Sequence, residues 1–209
     1  MIKRNLLIAI LILCSIGIIK GQTVSDSLAI MSARWKVESP QKGIIHKYAS
    51  IPRLYQGTQS VSLIEIEPGA GLKVDIAVSD EMKETSRIAS EHRGIAAING
   101  SYFDMKRGNS VCFLKVGNQV VDTTTLSECK LRVTGAMHVH KGKIKLIPWS
   151  RQIEKEYKGE TGIVLASGPL MLKDGQICDW NSCGTNFIRT KHPRSAVATT
   201  KEGKILLIT

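Results

Sequence analysis

Two apolar runs flank a Gly-Asn pair in the middle of the chain. The sequence reads Val111-Cys112-Phe113-Leu114-Lys115-Val116, then Gly117-Asn118, then Gln119-Val120-Val121-Asp122-Thr123. Glycine and asparagine both tolerate a positive φ, so this pair is typical of the two-residue turn of a β-hairpin. The sequence therefore predicts two antiparallel strands joined at Gly117-Asn118.

The same layout recurs three times along the chain. Each pair of apolar runs is separated by a short turn that contains glycine with charged or proline residues. The pairs are Val61–Glu67 with Leu72–Val78, Leu131–His140 with Ile144–Trp149, and Ala196–Thr200 with Ile205–Thr209. Repeated hairpins of this kind predict a mostly antiparallel sheet.

Helical signals are fewer. Ser79–His92 has a capping serine, carboxylates in its first turn and a stop at Gly94, and Ser150–Lys158 gives a shorter, weaker signal. The sequence predicts an α+β fold, a single domain with a mostly antiparallel mixed sheet and a few helices.

Composition excludes several classes of protein. Of the 209 residues, 43% are hydrophobic and 22% are charged, values typical of globular proteins rather than disordered or fibrous ones. The net charge of +11 favours anionic partners. Basic residues are dispersed and are not interleaved with aromatics, so we expect no nucleic acid partner.

The N-terminus is typical of a secretory signal peptide. Lys3 and Arg4 precede an apolar run from Leu6 to Ile19, which is too short for a spanning helix. Cleavage after Gly21 would leave 22–59 as an N-terminal segment and 60–209 as the domain. An uncleaved anchor or a lipid anchor at Cys14 is the alternative. We expect a secreted or periplasmic protein with no stable membrane span after signal removal.

Export permits disulfides, and four cysteines remain after Cys14 is removed. Pairing between near neighbours is favoured among the three possible pairings, and it predicts the bridges Cys112–Cys129 and Cys178–Cys183. Zinc is the competing reading, with His138, His140 and His192 available. No Cys-x-x-Cys or His-x3-His spacing supports zinc, so we expect no metal.

Three stretches carry side chains suited to chemistry. Asn99-Gly100-Ser101-Tyr102-Phe103-Asp104 follows a small apolar run, and its alternative interpretation is a structural turn. Ser167-Gly168-Pro169 interrupts two apolar runs, which predicts a buried strand on each side of a tight break. His192-Pro193-Arg194-Ser195 precedes the run Ala196–Thr200, and its alternative interpretation is solvated charge. Each lies at a predicted strand end or turn, where sites are built, so we expect the three to converge on one cleft.

Together these stretches resemble the phosphodiester glycosidase family, with Asp174-Gly175 and the Lys201–Lys204 turn in matching order. The family includes the mammalian enzyme that uncovers mannose 6-phosphate and many exported bacterial proteins. The resemblance covers roughly residues 60–209. It implies hydrolysis of the bond between a sugar, such as N-acetylglucosamine, and a phosphodiester.

The resemblance also implies site residues. The implied catalytic groups are Asp104 near the anomeric carbon and His192 with Arg194 as a cationic phosphate clamp. The implied substrate-binding residues are Asn99, Gly100, Ser101, Tyr102, Ser167, Gly168 and Arg194. The reaction requires no cofactor.

Members of the family usually continue into Val-Asp-Gly-Arg and Asn-Leu-Asp-Gly-Gly-Gly-Ser segments that help to build the active site. Because this sequence stops at Thr209, we expect the domain to be truncated at its C-terminus. The competing function is a non-catalytic secreted module, or an exopolysaccharide-related protein, that binds anionic or phosphorylated glycans.

Overall fold

The computed structural model describes residues 25–79, 81–159 and 161–209. The predicted signal peptide, its cleavage site and Cys14 lie outside these residues. The chain forms two compact units. The first extends to Gln41 and includes Ile45–Leu63, and the second consists of Lys42–Ile44 and Ile64–Thr209.

The first unit contains a helix and a run of consecutive strands. Helix α1 covers residues 25–31, and the strands are β1 Lys36–Gln41, β2 Ile44–Leu54 and β3 Gly57–Ile66, whose last residues enter the second unit. Ala49, Ile51 and Leu54 of β2 form its buried core and pack against α1 and Trp35. The backbone N–H of Tyr55 donates to Asp26 Oδ1 at 2.9 Å.

The second unit is organised around an antiparallel sheet with the strand order β5-β4-β8-β6-β7. Its strands are β4 Leu114–Val116, β5 Gln119–Asp122, β6 Gly135–His140, β7 Lys143–Pro148 and β8 Ile163–Ser167. The hairpins predicted at Gly117-Asn118 and around Lys141–Lys143 are therefore confirmed. Leu165 of β8 lies opposite Leu114 on one side and Met137 on the other. Strand β8 is central, which explains why its sequence is continuously apolar.

Two shorter hairpins complete the strands of this unit. They are β9 Leu172–Lys173 with β10 Gln176–Ile177, and β11 Ala196–Thr199 with β12 Ile205–Ile208. The second confirms the hairpin predicted near the C-terminus. The α+β class with antiparallel pairing is likewise confirmed.

The helices of the second unit are short. They are α2 Thr85–Glu91, α3 Leu126–Leu131, α4 Arg151–Glu156 and α5 Thr185–Arg189. Ser150 caps α4 by accepting from the N–H of Ile153 at 3.2 Å, so the second predicted helix is confirmed. Helix α3 has a similar cap, in which Thr125 Oγ1 accepts from the N–H of Glu128. The sequence interpretation had not predicted α3 or α5.

The core of the second unit lies on one side of β8. Its buried residues are Cys112, Phe113, Val133, Ala136, Trp149, Val164 and Ala166. The ring of Phe113 lies 5.2 Å from that of Trp149 and 5.8 Å from that of Tyr157. The indole N–H of Trp149 donates to the carboxylate of Glu154 at 3.0 Å, which satisfies a donor that burial would otherwise leave unpaired.

Three strand and helix predictions were wrong in part. Residues 72–79 form no regular strand, although their exposure partly alternates as a strand pattern would require. Helix α2 begins at Thr85 rather than Ser79, because the hydroxyl of Ser79 bonds the backbone of Glu81 in a local turn instead. The run after Pro169 is not a buried strand: β9 is exposed and two residues long.

Neither predicted disulfide is present in the structure. Cys112, Cys129, Cys178 and Cys183 are all free thiols. Cys112 is fully buried in the apolar core, where it packs as a small hydrophobic residue, and burial raises its pKa to about 11. Cys183 is also buried. This structure therefore gives no support to pairing between near neighbours in sequence.

Candidate active site

The first chemical stretch lies against the end of β8. Ser101 Oγ donates to the carbonyl of Ala166 at 2.7 Å, and the hydroxyl of Tyr102 donates to the carbonyl of Gly168 at 2.6 Å. A Cβ on Gly100 would stand 3.2 Å from the side chain of Leu165, so the loop packs closely on this strand. The structure thus brings the first two predicted stretches together.

Gly168 packs against a second piece of backbone. Its φ is 151°, and a Cβ there would lie 2.3 Å from the carbonyl oxygen of Arg132 and 2.8 Å from the nitrogen of Thr134. Ser167 precedes it at the end of β8, opposite Gly135 of β6. Only glycine can lie this close to the backbone of Arg132 and Thr134. The carbonyl of Gly168, which accepts from the Tyr102 hydroxyl, therefore lies beside the segment that follows α3.

The third stretch is joined to the first by a side-chain hydrogen bond. Ser195 Oγ donates to Asn99 Oδ1 at 2.5 Å. Both residues are exposed. The bond joins the segment that carries His192 and Arg194 to the loop that carries Tyr102.

Arg194 is held by neutral acceptors. Its Nη2 donates to the carbonyl of Phe187 at 2.9 Å and to that of Thr190 at 3.3 Å, and its guanidinium lies 4.3 Å from the centre of the Phe187 ring. Carbonyl oxygens and an aromatic face orient a cation without neutralising it. The exposed guanidinium of Arg194 therefore keeps a full positive charge available for an anion.

Phe187 and Tyr102 connect Arg194 to a second arginine. The two rings meet edge to face with centres 6.2 Å apart, and the guanidinium of Arg132 lies 3.6 Å from the centre of Tyr102 and 5.1 Å from that of Phe187. Burial raises the pKa of Tyr102, while the charges of Arg132 and Arg194 oppose that rise. We call Tyr102, Arg132, Phe187 and Arg194 the guanidinium–aromatic cluster.

Arg132 is paired with a buried carboxylate on α3. Its Nε and Nη2 donate to the two oxygens of Glu128 at 2.7 and 2.9 Å. The hydrogen bond to Glu128 raises the pKa of Arg132 above its ordinary value. Sequence reasoning missed both residues, although Thr125-x-x-Glu128 is a capping-box signal that could have located α3.

Asp104 forms a tight turn in its own loop. Its Oδ1 accepts from the N–H of Lys106 at 2.7 Å and from that of Arg107 at 3.1 Å. These two backbone donors hold the pKa of Asp104 below its usual value, so the carboxylate is ionised at neutral pH. His192 is exposed. The approach of Asp104 and His192 to Arg194 stays a prediction.

The described part of the chain shows neither a metal-binding cluster nor a membrane-spanning helix. Within residues 25–79, 81–159 and 161–209, no group of three or more histidine, cysteine, aspartate or glutamate side chains is arranged to hold a metal. Over the same ranges, no helix has the length and apolar character needed to cross a bilayer.

Comparison with known proteins identifies the family. The family model described as phosphodiester glycosidase matches residues 92–209, more than half of the chain. The chain belongs to the phosphodiester glycosidase family. The matched phosphodiester glycosidase region contains all three chemical stretches and the whole guanidinium–aromatic cluster, so the resemblance inferred from the motifs is confirmed. No curated protein and no solved structure matched the chain.

Proposed function

We propose that this protein is a hydrolase that cleaves the bond between the anomeric carbon of a sugar, such as N-acetylglucosamine, and a phosphodiester. One observation carries the proposal within the family: Arg194 lies on an exposed segment that the Ser195–Asn99 bond joins to the loop of Asn99. A cation and an amide on two joined segments are suited to a ligand that has both phosphate and sugar hydroxyl groups.

Arg194 is proposed to bind the phosphate. Its planar fork matches two phosphate oxygens, and hydrogen bonds between charged groups are stronger than neutral ones. Only Nη2 is engaged with the carbonyls of Phe187 and Thr190 in the described structure. His192 lies two residues earlier and is exposed, so it can supply a further donor to the same anion.

Asn99 is proposed to bind the sugar. Its Oδ1 accepts from Ser195, which fixes the amide orientation and directs Nδ2 elsewhere. Nδ2 carries two donors that suit a sugar hydroxyl or a phosphate oxygen. Ser101 and Tyr102 donate their own hydroxyl hydrogens to backbone carbonyls at the end of β8, so they shape the loop and leave only acceptor positions for a ligand.

Asp104 is proposed to act as an ionised carboxylate. In the reaction, a water oxygen bonds to the anomeric carbon, the bond from that carbon to the phosphodiester oxygen breaks, and a phosphate monoester leaves. The monoester accepts the electron pair of the broken bond, so little help from an acid is required. Asp104 can take the proton of the attacking water or stabilise the positive charge that develops on the sugar.

A non-catalytic module that binds phosphorylated glycans is the second candidate. The observation that favours it is that Asp104 Oδ1 already accepts two hydrogen bonds from its own loop. In this alternative the carboxylate shapes the loop and takes no part in a reaction. Export from the cell, and an association with exopolysaccharide, are proposals that accompany either function.

Turnover of a defined substrate separates the two candidates. The protein is incubated with the methyl phosphodiester of N-acetylglucosamine, and free N-acetylglucosamine and methyl phosphate are measured. A p-nitrophenyl glycoside of the same sugar, which lacks phosphate, is the matched control substrate. The hydrolase is supported if N-acetylglucosamine is released from the phosphodiester but not from the control glycoside, and if Arg194→Ala abolishes that release. Binding without turnover supports the module, and neither binding nor turnover would overturn both.

A further inference from the structure

We propose that Arg132, fixed by Glu128, is a positioning residue of this site that acts through Tyr102 and Phe187 to hold Arg194 in place. The proposal rests on the proposed function, since it deepens the account of the phosphate clamp. Neither Arg132 nor Glu128 belongs to the motifs that identify the family in this sequence.

Glu128 fixes the orientation of the Arg132 guanidinium. The carboxylate is buried, with only 7% of the residue exposed, and it binds Nε and Nη2 of Arg132 in two parallel hydrogen bonds. A two-point contact of this kind defines the plane of the guanidinium as well as its place. Burial of the carboxylate adds a cost to any arrangement in which Arg132 moves away.

The guanidinium of Arg132 also contacts the rings of Tyr102 and Phe187 and orients them. It lies 3.6 Å from the centre of Tyr102 and 5.1 Å from that of Phe187. The face of an aromatic ring attracts a cation, so both rings are drawn toward this fixed charge. The centre of the Phe187 ring lies 4.3 Å from the guanidinium carbon of Arg194, and the carbonyl of Phe187 accepts from Arg194 Nη2 at 2.9 Å. Phe187 is therefore placed between two guanidinium groups.

The same arginine also touches the other half of the site. Tyr102, stacked under Arg132, donates to the carbonyl of Gly168, and Gly168 packs against the backbone of Arg132. One ion pair on α3 thus supports both the loop of Tyr102 and the segment of Arg194. Its loss should loosen the two together.

The test variant removes both members of the ion pair. Arg132→Met alone would leave the buried carboxylate of Glu128 without a partner, which destabilises the fold for a reason unrelated to the site. The combination of Glu128→Gln with Arg132→Met leaves no charge of this pair buried, and the backbone N–H of residue 128 can still donate to the Thr125 cap of α3. The matched control is Arg87→Met with Glu91→Gln, an exposed i,i+4 pair at 3.4 Å on α2.

The first readout does not depend on activity. Phenylglyoxal modifies accessible guanidinium groups, and the rate at each arginine is followed by peptide mass mapping. We expect Arg194 to react about two- to sixfold faster in the test variant, the factor that corresponds to one lost cation–π contact. The rate at the exposed Arg151 should not change, and the control pair should leave Arg194 as it is. An unchanged rate at Arg194 in the folded test variant would overturn the proposal.

The second readout is the separation of kcat from KM. A displaced clamp should lower kcat/KM by about ten- to hundredfold, with a share in kcat, because a small misplacement of a binding group weakens the transition state. Combined with Arg194→Ala, the test variant should add almost nothing, since Arg132 acts through Arg194. Additive losses would contradict the proposal.

Arg132→Lys provides a variant that keeps the charge. Lysine keeps the ion pair but lacks the planar group that stacks on Tyr102, so labelling of Arg194 should fall between wild type and the test variant. If the test variant does not fold, this intermediate rate decides the question, and a wild-type rate counts against the proposal. If the wild-type protein turns over no phosphodiester, the proposed function fails, and the labelling rates still decide the role of Arg132.

Discussion

Ser195 donates a 2.5 Å hydrogen bond to Asn99, a residue 96 positions earlier in the chain. Ser195 immediately precedes β11, and Asn99 begins the loop that packs on the end of β8. The bond therefore joins the loop of Tyr102 directly to the segment of Arg194. Two exposed side chains gain little stability from such a bond, so its value lies in placement.

Removal of this link should affect function more than stability. Ser195→Ala should lower kcat/KM for a sugar phosphodiester by about fivefold to tenfold, as expected for one hydrogen bond of about 1 kcal/mol. The melting temperature should change little, because the residue is exposed. Steady-state kinetics with the Asn99→Ala, Ser195→Ala and double variants measure the coupling. Fully additive losses would show that the bond plays no part in the site.

The phosphate clamp depends on the shape of the guanidinium as well as its charge. Arg194→Lys should lose about 2–3 kcal/mol of transition-state binding, roughly thirtyfold to over a hundredfold in kcat/KM, and Arg194→Ala should lose more. Arg189→Lys, at the exposed end of α5, is the matched control and should cost little. Equal, mild effects at both arginines in folded proteins would exclude Arg194 as the clamp.

The sequence predicted those features that local chemistry determines. Gly117-Asn118 and Lys141–Lys143 lie at turns, and the apolar run at β8 is a central strand. Ser150 caps α4 as its position suggested. In each case the residues that decide the element are adjacent in the chain, so the pattern and the structure report the same interaction.

Features that depend on distant contacts were not predictable in this way. Residues 72–79 have a strand pattern but no strand, because alternation shows only that one face is covered and does not supply a partner. Glu128 lies on a helix of six residues, too short for a periodic signal, and Arg132 directly follows that helix. Their importance comes from Tyr102 and Phe187, which reach them from elsewhere in the chain.

Gly168 should tolerate no side chain. Gly168→Ala would place a Cβ 2.3 Å from a carbonyl oxygen in a conformation with φ at 151°, so we expect a loss of about 2–3 kcal/mol or more in the free energy of unfolding. Gly175→Ala is the control, since its φ of 78° is also positive but no atom lies within 4 Å of the added group. It should cost about 1 kcal/mol. Urea unfolding of both variants measures the difference, and equal losses would show that the close approach at Gly168 relaxes freely.

Cys112 should be the least reactive cysteine that the structure describes. Burial raises its pKa to about 11, so at pH 8 almost no thiolate forms and reagents cannot reach the sulfur. Cys178 is partly exposed and should react with iodoacetamide in the native protein. Alkylation before and after denaturation, followed by peptide mapping, tests this expectation. Rapid native labelling of Cys112, or recovery of Cys178 only after reduction, would contradict it.

Asp104 should act only in its charged form. The backbone N–H groups of Lys106 and Arg107 lower its pKa. The carboxylate therefore stays ionised at pH values below the ordinary aspartate pKa of about 3.9. Any contribution of this depressed pKa to stability is present above the ordinary value and is lost as the pH falls through the lowered one. The pH profile of kcat/KM should therefore show no acidic limb from Asp104 near pH 4 or above.

Asp104→Asn separates the catalytic role of this residue from its role in the turn. The asparagine oxygen can accept the same hydrogen bonds from Lys106 and Arg107, so the melting temperature should stay close to that of wild type. Loss of the charge should lower kcat by about a hundredfold or more, the usual contribution of an acid–base group. Asp174→Asn, an exposed aspartate in the β9–β10 turn, is the control and should leave kcat unchanged. Full activity in a folded Asp104→Asn variant would limit Asp104 to shaping the loop. The catalytic carboxylate would then have to be sought elsewhere.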